Sequence, residues 1–97
     1  MIVVSDSTIL IFLAKIEKMA LLRNLFQVVY IPEGVFQEVT EAGKQRPGAL
    51  EVKESEWIIK KAISDHTQVN FLLTSLERGE AEVLVLAKEM KADLILQ

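Results

Sequence analysis

Three acidic residues of this chain could bring carboxylates to one site, and Asp6 is the first of them. It follows the apolar, β-branched residues 2–4, which predict a buried strand, and a helical pattern begins near Thr8. Open α/β sheets bind ligands at the carboxyl ends of their strands, where Asp6 would lie. Asp and Ser are also preferred N-cap residues, so this segment taken alone favours capping.

Glu38 is the second candidate, and its place in a helical pattern singles it out. Pro32 suits the first turn of a helix, and the pattern continues over residues 33–42 until Gly43, a plausible C-cap. Glu38 lies on the flank of an apolar stripe, which consists of Val35, Val39 and Ala42. The other acids of this segment point away from that stripe.

Glu80 is the third candidate, in a helix predicted over residues 79–90. Helical spacing places Glu80 on one face with three apolar residues, Val83, Leu84 and Ala87. The same spacing assigns Glu82 to the opposite face. A carboxylate on a buried face is costly unless something pairs with it, so Glu80 is expected to have a partner.

Each of these carboxylates has a structural alternative. Glu38 could pair with Arg23 or Lys44, and an acid in the first helical turn, such as Glu80, complements the helix dipole. If they converge with Asp6, two carboxylates ~4 Å apart would repel by roughly 4 kcal/mol at an effective dielectric near 20. A hard divalent cation removes that conflict and prefers oxygen ligands, which points to Mg²⁺ or Mn²⁺.

The elements that must position these residues alternate between strands and helices. This alternation predicts an α/β fold with a mostly parallel sheet of about four strands between helical layers. The predicted strands cover residues 2–4, 28–31, 57–63 and 92–97. The predicted helices run from near Thr8 to Ile16 and over residues 19–26, 33–42, 71–76 and 79–90. Between them, the sequence predicts a turn at Pro47-Gly48, a helical turn within 51–56 and a polar loop over 64–70.

Composition narrows the classes of protein. At 97 residues and 51% hydrophobic content, the chain can build one small packed domain. The absence of cysteine excludes disulfides and thiol chemistry, and the apolar run 9–14 is too short for a bilayer, so a cytoplasmic protein without a membrane partner is expected. A net charge of −3 disfavours a basic nucleic-acid surface. It still permits an enzyme whose metal ions hold a phosphodiester.

Five segments in order resemble PIN-domain nucleases, in the VapC-like or uncharacterised PIN-like subgroup; they are residues 3–7, 13–16, 21–26, 31–39 and 78–82. The resemblance implies a three-layer α/β/α domain in which Asp6, Glu38 and Glu80 are catalytic and hold Mg²⁺ or Mn²⁺. Ser7 stands where the family often has a hydroxyl that hydrogen-bonds the metal site. The implied substrate is single-stranded RNA. The implied setting is the toxin of a toxin–antitoxin pair, with a small antitoxin protein as partner.

Two further expectations concern the extent of the domain and its assembly. The family's fourth acid follows the strand that matches residues 94–96, and this sequence stops at Gln97. Residues 1–97 are therefore expected to form one C-terminally incomplete PIN-like domain, with residues 92–97 as a central strand. A homodimer burying roughly 1,200–2,000 Å² is expected through residues 9–26 and 79–90. The rival hypotheses are a catalytically degenerate PIN fold that binds or regulates, and a generic α/β interaction module.

Overall fold

The computed structural model describes residues 1–41 and 47–97 of the chain. Four strands form one sheet: β1 (Val3–Ser5), β2 (Val29–Pro32), β3 (Ile58–Lys61) and β4 (Leu94–Leu96). The helices are α1 (Ser7–Lys15), α2 (Met19–Phe26), α3 (Glu33–Thr40), α4 (Ala49–Glu54), α5 (His66–Leu72) and α6 (Arg78–Met90). The strand order is β3-β2-β1-β4, and every neighbouring pair is parallel.

The centre of the sheet is covered on both faces. Val3, Val4 and Ser5 are all buried, although successive residues of a strand point to opposite faces. Burial on both faces requires a layer of helices on each side, which is the reason why β1 is an apolar run rather than an alternating one. The predicted three-layer α/β/α class with a mostly parallel sheet of about four strands is confirmed.

Helices α3 and α6 contribute much of the core that lies against the sheet. Val35 and Val39 of α3 are buried as their spacing predicts, and most of α6 between Ala81 and Ala87 is buried as well. The longest helix, α6, has 13 residues, whereas a membrane span needs about 20. None of the helices in the described part of the chain has the length and apolar character that crossing a bilayer requires.

Two predicted helix boundaries are wrong. The polar segment 64–70 was expected to be a loop followed by a helix over 71–76, but α5 begins at His66 and ends at Leu72. Its first turn is capped by Asp65, whose Oδ1 accepts the N–H of Gln68, and Val69 is its one buried residue. Because the first turn of α5, residues 66–68, is polar, no apolar residue marks its start in the sequence. Helix α3 ends at Thr40, earlier than expected, and the predicted end at Ala42 and Gly43 lies outside the described residues.

The strands are shorter than the apolar runs that predict them. β3 covers Ile58–Lys61 rather than residues 57–63, and β4 covers Leu94–Leu96 rather than residues 92–97. Among the described residues β4 pairs with β1 alone and lies at an edge of the sheet, so the expectation of a central last strand stays a prediction. The central positions belong to β1 and β2.

Candidate functional site

Asp6 stands between β1 and α1, at the carboxyl edge of the sheet. Its backbone N–H donates to the carbonyl of Leu96 at 2.9 Å, which fixes it beside the end of β4. Its side chain is the N-cap of α1, with Oδ1 accepting the N–H of Ile9 at 3.1 Å. The capping alternative is therefore realised in this structure. A cap uses one of the two carboxylate oxygens, so it leaves acceptor capacity for a second partner.

Ser7 and Glu38 connect α1 to α3. The hydroxyl of Ser7 donates a hydrogen bond to Oε2 of Glu38, and both side chains are part-buried. Glu38 forms no ion pair with Arg23, and Lys44, the other expected partner, lies outside the described residues. Among residues 1–41 and 47–97, Glu38 is thus oriented by a neutral hydroxyl and has no cation paired with it.

Glu77 and Glu80 form the first turn of α6. Glu77 is the N-cap, and the two residues make a reciprocal capping box in which Oε1 of Glu80 accepts the N–H of Glu77 at 3.2 Å. The box satisfies backbone donors that have no partner within the helix. It also fixes where both acidic side chains leave the helix.

One cavity of about 250 Å³ collects these residues at the carboxyl edge of the sheet. Its lining consists of Asp6, Ser7, Thr8, Val35, Glu38, Glu77, Gly79 and Glu80. The four acids come from α3, from the first turn of α6 and from the turn before α1. In the described residues, no lysine or arginine side chain pairs with any of them. The cavity is therefore strongly acidic, and no cation of the described residues is paired with its carboxylates.

The donor chemistry of this cavity fits a hard divalent cation, since carboxylate and hydroxyl oxygens are the ligands that Mg²⁺ and Mn²⁺ prefer. Within residues 1–41 and 47–97, however, no three His, Cys, Asp or Glu side chains are gathered closely enough to form a ready-made metal site. The capping bonds of Asp6 and Glu80 account for part of this separation, because each directs an oxygen to a backbone N–H. The residue types in the cavity therefore fit a divalent metal ion. In this structure the side chains of Asp6 and Glu80 cap the N-terminal ends of α1 and α6.

Comparison with known proteins supplies the family. A family model described as a PIN domain matches residues 2–97, nearly the whole chain. The chain belongs to the PIN-domain family. No curated protein and no solved structure gives a significant match. The family assignment places the chain in a nuclease-type family, and it confirms the resemblance found in the sequence.

One face assignment in this PIN domain is wrong. Glu80 was expected on the buried face of α6 and Glu82 on the opposite one, but Glu80 is exposed and Glu82 is buried at 8% exposure. The error came from Leu84, which was counted as a core residue and is 38% exposed. Because α6 is buried around most of its circumference, apolar spacing alone did not define its solvent-facing side.

Two acids of this PIN domain were missed at the sequence level. Glu77 lines the acidic cavity, and its spacing to Glu80 is the three-residue interval of a capping box, a signal that was available in the sequence. Glu82 had no such signal. Its Oε1 accepts the N–H of Gly34 at 2.8 Å, a contact between residues 48 positions apart.

A second, larger cavity adjoins the acidic one. It measures about 590 Å³ and is lined by Gly34, Gln37, Glu38, Thr40, Glu41, Glu77, Arg78 and Gly79. Glu38, Glu77 and Gly79 line both cavities, so the two form a continuous polar cleft between α3 and the start of α6. Such a cleft has room for an extended ligand rather than a single ion.

Proposed function

We propose that this PIN domain is a metal-dependent endoribonuclease that hydrolyses phosphodiester bonds of single-stranded RNA. The observation that carries the proposal is the acidic cavity, where Asp6, Glu38 and Glu80 face one space with no cation from the described residues paired to them. PIN domains generally use divalent metals, and these three residues would hold Mg²⁺ or Mn²⁺. When bound, the metal would activate a water and stabilise charge on the phosphate.

The chain's own residues would prepare this site. Ser7 donates its hydroxyl to Glu38 and so limits the orientations of that carboxylate. The capping bonds of Asp6 and Glu80 have the same effect, because each ties its carboxylate to the rigid end of a helix. A site on helix ends is held more precisely than one on loops.

The cleavage test has a matched control within the chain. Asp6 and Asp65 both cap helices through Oδ1 at 3.1 Å, and Asn is as good an N-cap as Asp. Asp6→Asn should lower Mn²⁺-dependent cleavage of a labelled single-stranded RNA at least about 100-fold, whereas Asp65→Asn should change it less than about twofold. Equal activity of wild type and Asp6→Asn would exclude this site. A protein that binds RNA without cleaving it would instead fit the degenerate PIN alternative.

The assembly of the domain is part of the proposal. Four large apolar side chains on α1, on its C-cap and on α2 are exposed: Phe12, Ile16, Leu21 and Leu25. Exposed apolar residues of this size favour a protein partner, and a homodimer is proposed here. Sedimentation at tens of micromolar should give a dimer that Leu25→Glu converts to monomer, since Leu25 is 72% exposed and the change leaves the core intact. A monomeric wild type would contradict it.

The biological setting that the PIN resemblance implies is a toxin held by a small antitoxin protein. This setting predicts that expression of the chain arrests growth and that Asp6→Asn relieves the arrest. A small protein that restores growth in the presence of the wild-type chain, and that co-purifies with it, would identify the antitoxin. Growth unaffected by the active enzyme would argue for another role.

A further inference from the structure

Glu82 is the one buried carboxylate of the described residues, and it has two partners. Its Oε1 accepts the N–H of Gly34, and its Oε2 lies 3.6 Å from Nη1 of Arg78. A buried carboxylate is costly unless it is hydrogen-bonded and paired. These two contacts, which we name the Gly34–Glu82–Arg78 contact, meet both requirements and join α3 to α6.

Gly34 allows the carboxylate to approach α3 closely. A Cβ at this position would lie 3.0 Å from Oε2 of Glu82 and 3.1 Å from its Oε1. The carboxylate therefore rests against the backbone of the first turn of α3, where the helix dipole favours negative charge. The backbone N–H of Gly34 holds Oε1 of Glu82 at 2.8 Å, and Oε2 faces the guanidinium of Arg78 at 3.6 Å.

Arg78 is the exposed member of the contact. Its side chain is 59% exposed, and among the described residues it is the one lysine or arginine that lines either cavity of the cleft. An exposed arginine ordinarily samples many rotamers, but a fixed carboxylate beside it restricts that freedom. The guanidinium has five N–H donors, and the pair with Glu82 leaves most of them open to the cleft.

We propose that Arg78, oriented by Glu82, binds a phosphate of the RNA strand in the larger cavity, next to the phosphate at the acidic cavity. Guanidinium and phosphate match in charge and geometry, and a cation placed beside four carboxylates offsets the repulsion that an approaching strand would meet. This inference rests on the proposed function, since it assigns the substrate contact of the same cleft. Glu82 acts through Arg78 and is a positioning residue.

The test measures RNA binding separately from cleavage. A fluorescently labelled single-stranded RNA is titrated with the Asp6→Asn protein in millimolar Mg²⁺, and Arg78→Gln is added to that background. Affinity should fall about tenfold with Arg78→Gln, and the slope of log affinity against log salt should decrease by about 0.7, the value for one phosphate contact on a single strand. Arg23→Gln, on the exposed surface of α2 and outside both cavities, should change affinity less than about twofold.

Glu82→Gln tests the positioning role. Glutamine keeps an acceptor for the N–H of Gly34 but removes the charge that faces Arg78, so affinity should fall about threefold. In the Arg78→Gln background the same change should have no further effect on affinity. A loss of equal size in both backgrounds would show that Glu82 acts through stability alone and would overturn its positioning role.

The outcomes separate this inference from the function on which it rests. RNA binding that Arg78→Gln and Arg23→Gln weaken equally would overturn the role of Arg78 and leave the nuclease proposal standing. Absence of RNA binding and of cleavage by the wild-type protein would overturn both. Retained cleavage with an unchanged salt slope in Arg78→Gln would also remove Arg78 from the binding surface.

Discussion

The first turns of α1 and α5 are built alike and lie in different surroundings. Asp6 and Asp65 each stand before a helix, and each Oδ1 accepts the N–H three residues later at 3.1 Å. Local geometry does not distinguish them. Sequence reasoning about Asp6 alone favoured capping for this reason, and the cap is present.

The neighbours of the two aspartates make the difference. Asp6 shares its cavity with Glu38, Glu77 and Glu80, with no described cation to neutralise them. Asp65 lines a cavity in which, among the described residues, it is the one acid, and the neighbouring Glu89 accepts the backbone N–H of Asp65 at 2.7 Å. A cap and a ligand are therefore compatible roles for one carboxylate, and the charge collected around it decides whether the second role is available.

The largest expected effect is metal-linked stability. A ligand that binds the folded protein alone stabilises it by about 2.7 kcal/mol at a concentration 100 times its Kd. Mn²⁺ should raise the unfolding temperature of the wild type and of Asp65→Asn by this mechanism, and Asp6→Asn should abolish most of the increase. Calorimetric titration of the three proteins gives the affinities directly. Equal increases in unfolding temperature for Asp6→Asn and Asp65→Asn would show that the two aspartates do not differ in metal binding.

Glu80 and Glu82 of α6 allow a second comparison of two acids in different surroundings. Glu82→Ala removes the acceptor of the Gly34 N–H at a buried position and should lower the free energy of unfolding by about 2 kcal/mol. Glu80→Ala removes a partner of an exposed capping box and should cost less than about 1 kcal/mol. Urea unfolding with unchanged m-values measures both. A larger loss for Glu80 than for Glu82 would contradict the burial of these residues.

The smallest effect concerns charge without metal. In chelator, Asp6→Asn keeps the cap and removes one charge from the acidic cavity, so it should be more stable than Asp65→Asn, by no more than about 1 kcal/mol, the value for a ~4 Å charge pair in a water-like medium. Both variants lose the same interaction with a helix dipole, which cancels in the difference. Chemical unfolding in EDTA measures this difference. Identical stabilities would mean that the carboxylates of the cavity do not repel one another in the metal-free protein.

The sequence predicted the parts of the fold that depend on local pattern. The β-branched residues before Asp6 indicated a doubly covered strand, and the spacing of Val35 and Val39 indicated the buried face of α3. It misplaced α5, with a polar loop predicted over 64–70 and a helix over 71–76, because the first turn of α5 is polar and is capped by Asp65. Local signals succeed where several apolar residues share a face, and they fail where a helix begins in polar residues.

The residues of the candidate site also divide into those that local patterns identified and one that they misplaced. Asp6, Glu38 and Glu80 were selected from strand ends, helix faces and the PIN resemblance, and their side chains line one cavity. Their roles remain the proposal above. Glu82 was assigned to the wrong face because the exposed Leu84 was counted as a core residue. Its partner could not correct this, since Gly34 is remote in sequence and a backbone N–H carries no signal in the residue type. A tertiary contact of this kind is visible only once two helices are placed against each other.

The central position of β1 has a consequence for the order of folding. β1 is the first strand in the sequence and pairs with β2 on one side. Its other side pairs with β4, which comes last among the described strands, and Val3 pairs there with Leu94. The bond from Ile2 to Asp93 closes a separation of 91 residues. During synthesis, this edge of β1 therefore stays open until residues 94–96 have been made. An open, apolar strand edge can pair with other chains, so β1 of a nascent copy is expected to need shielding until β4 is in place.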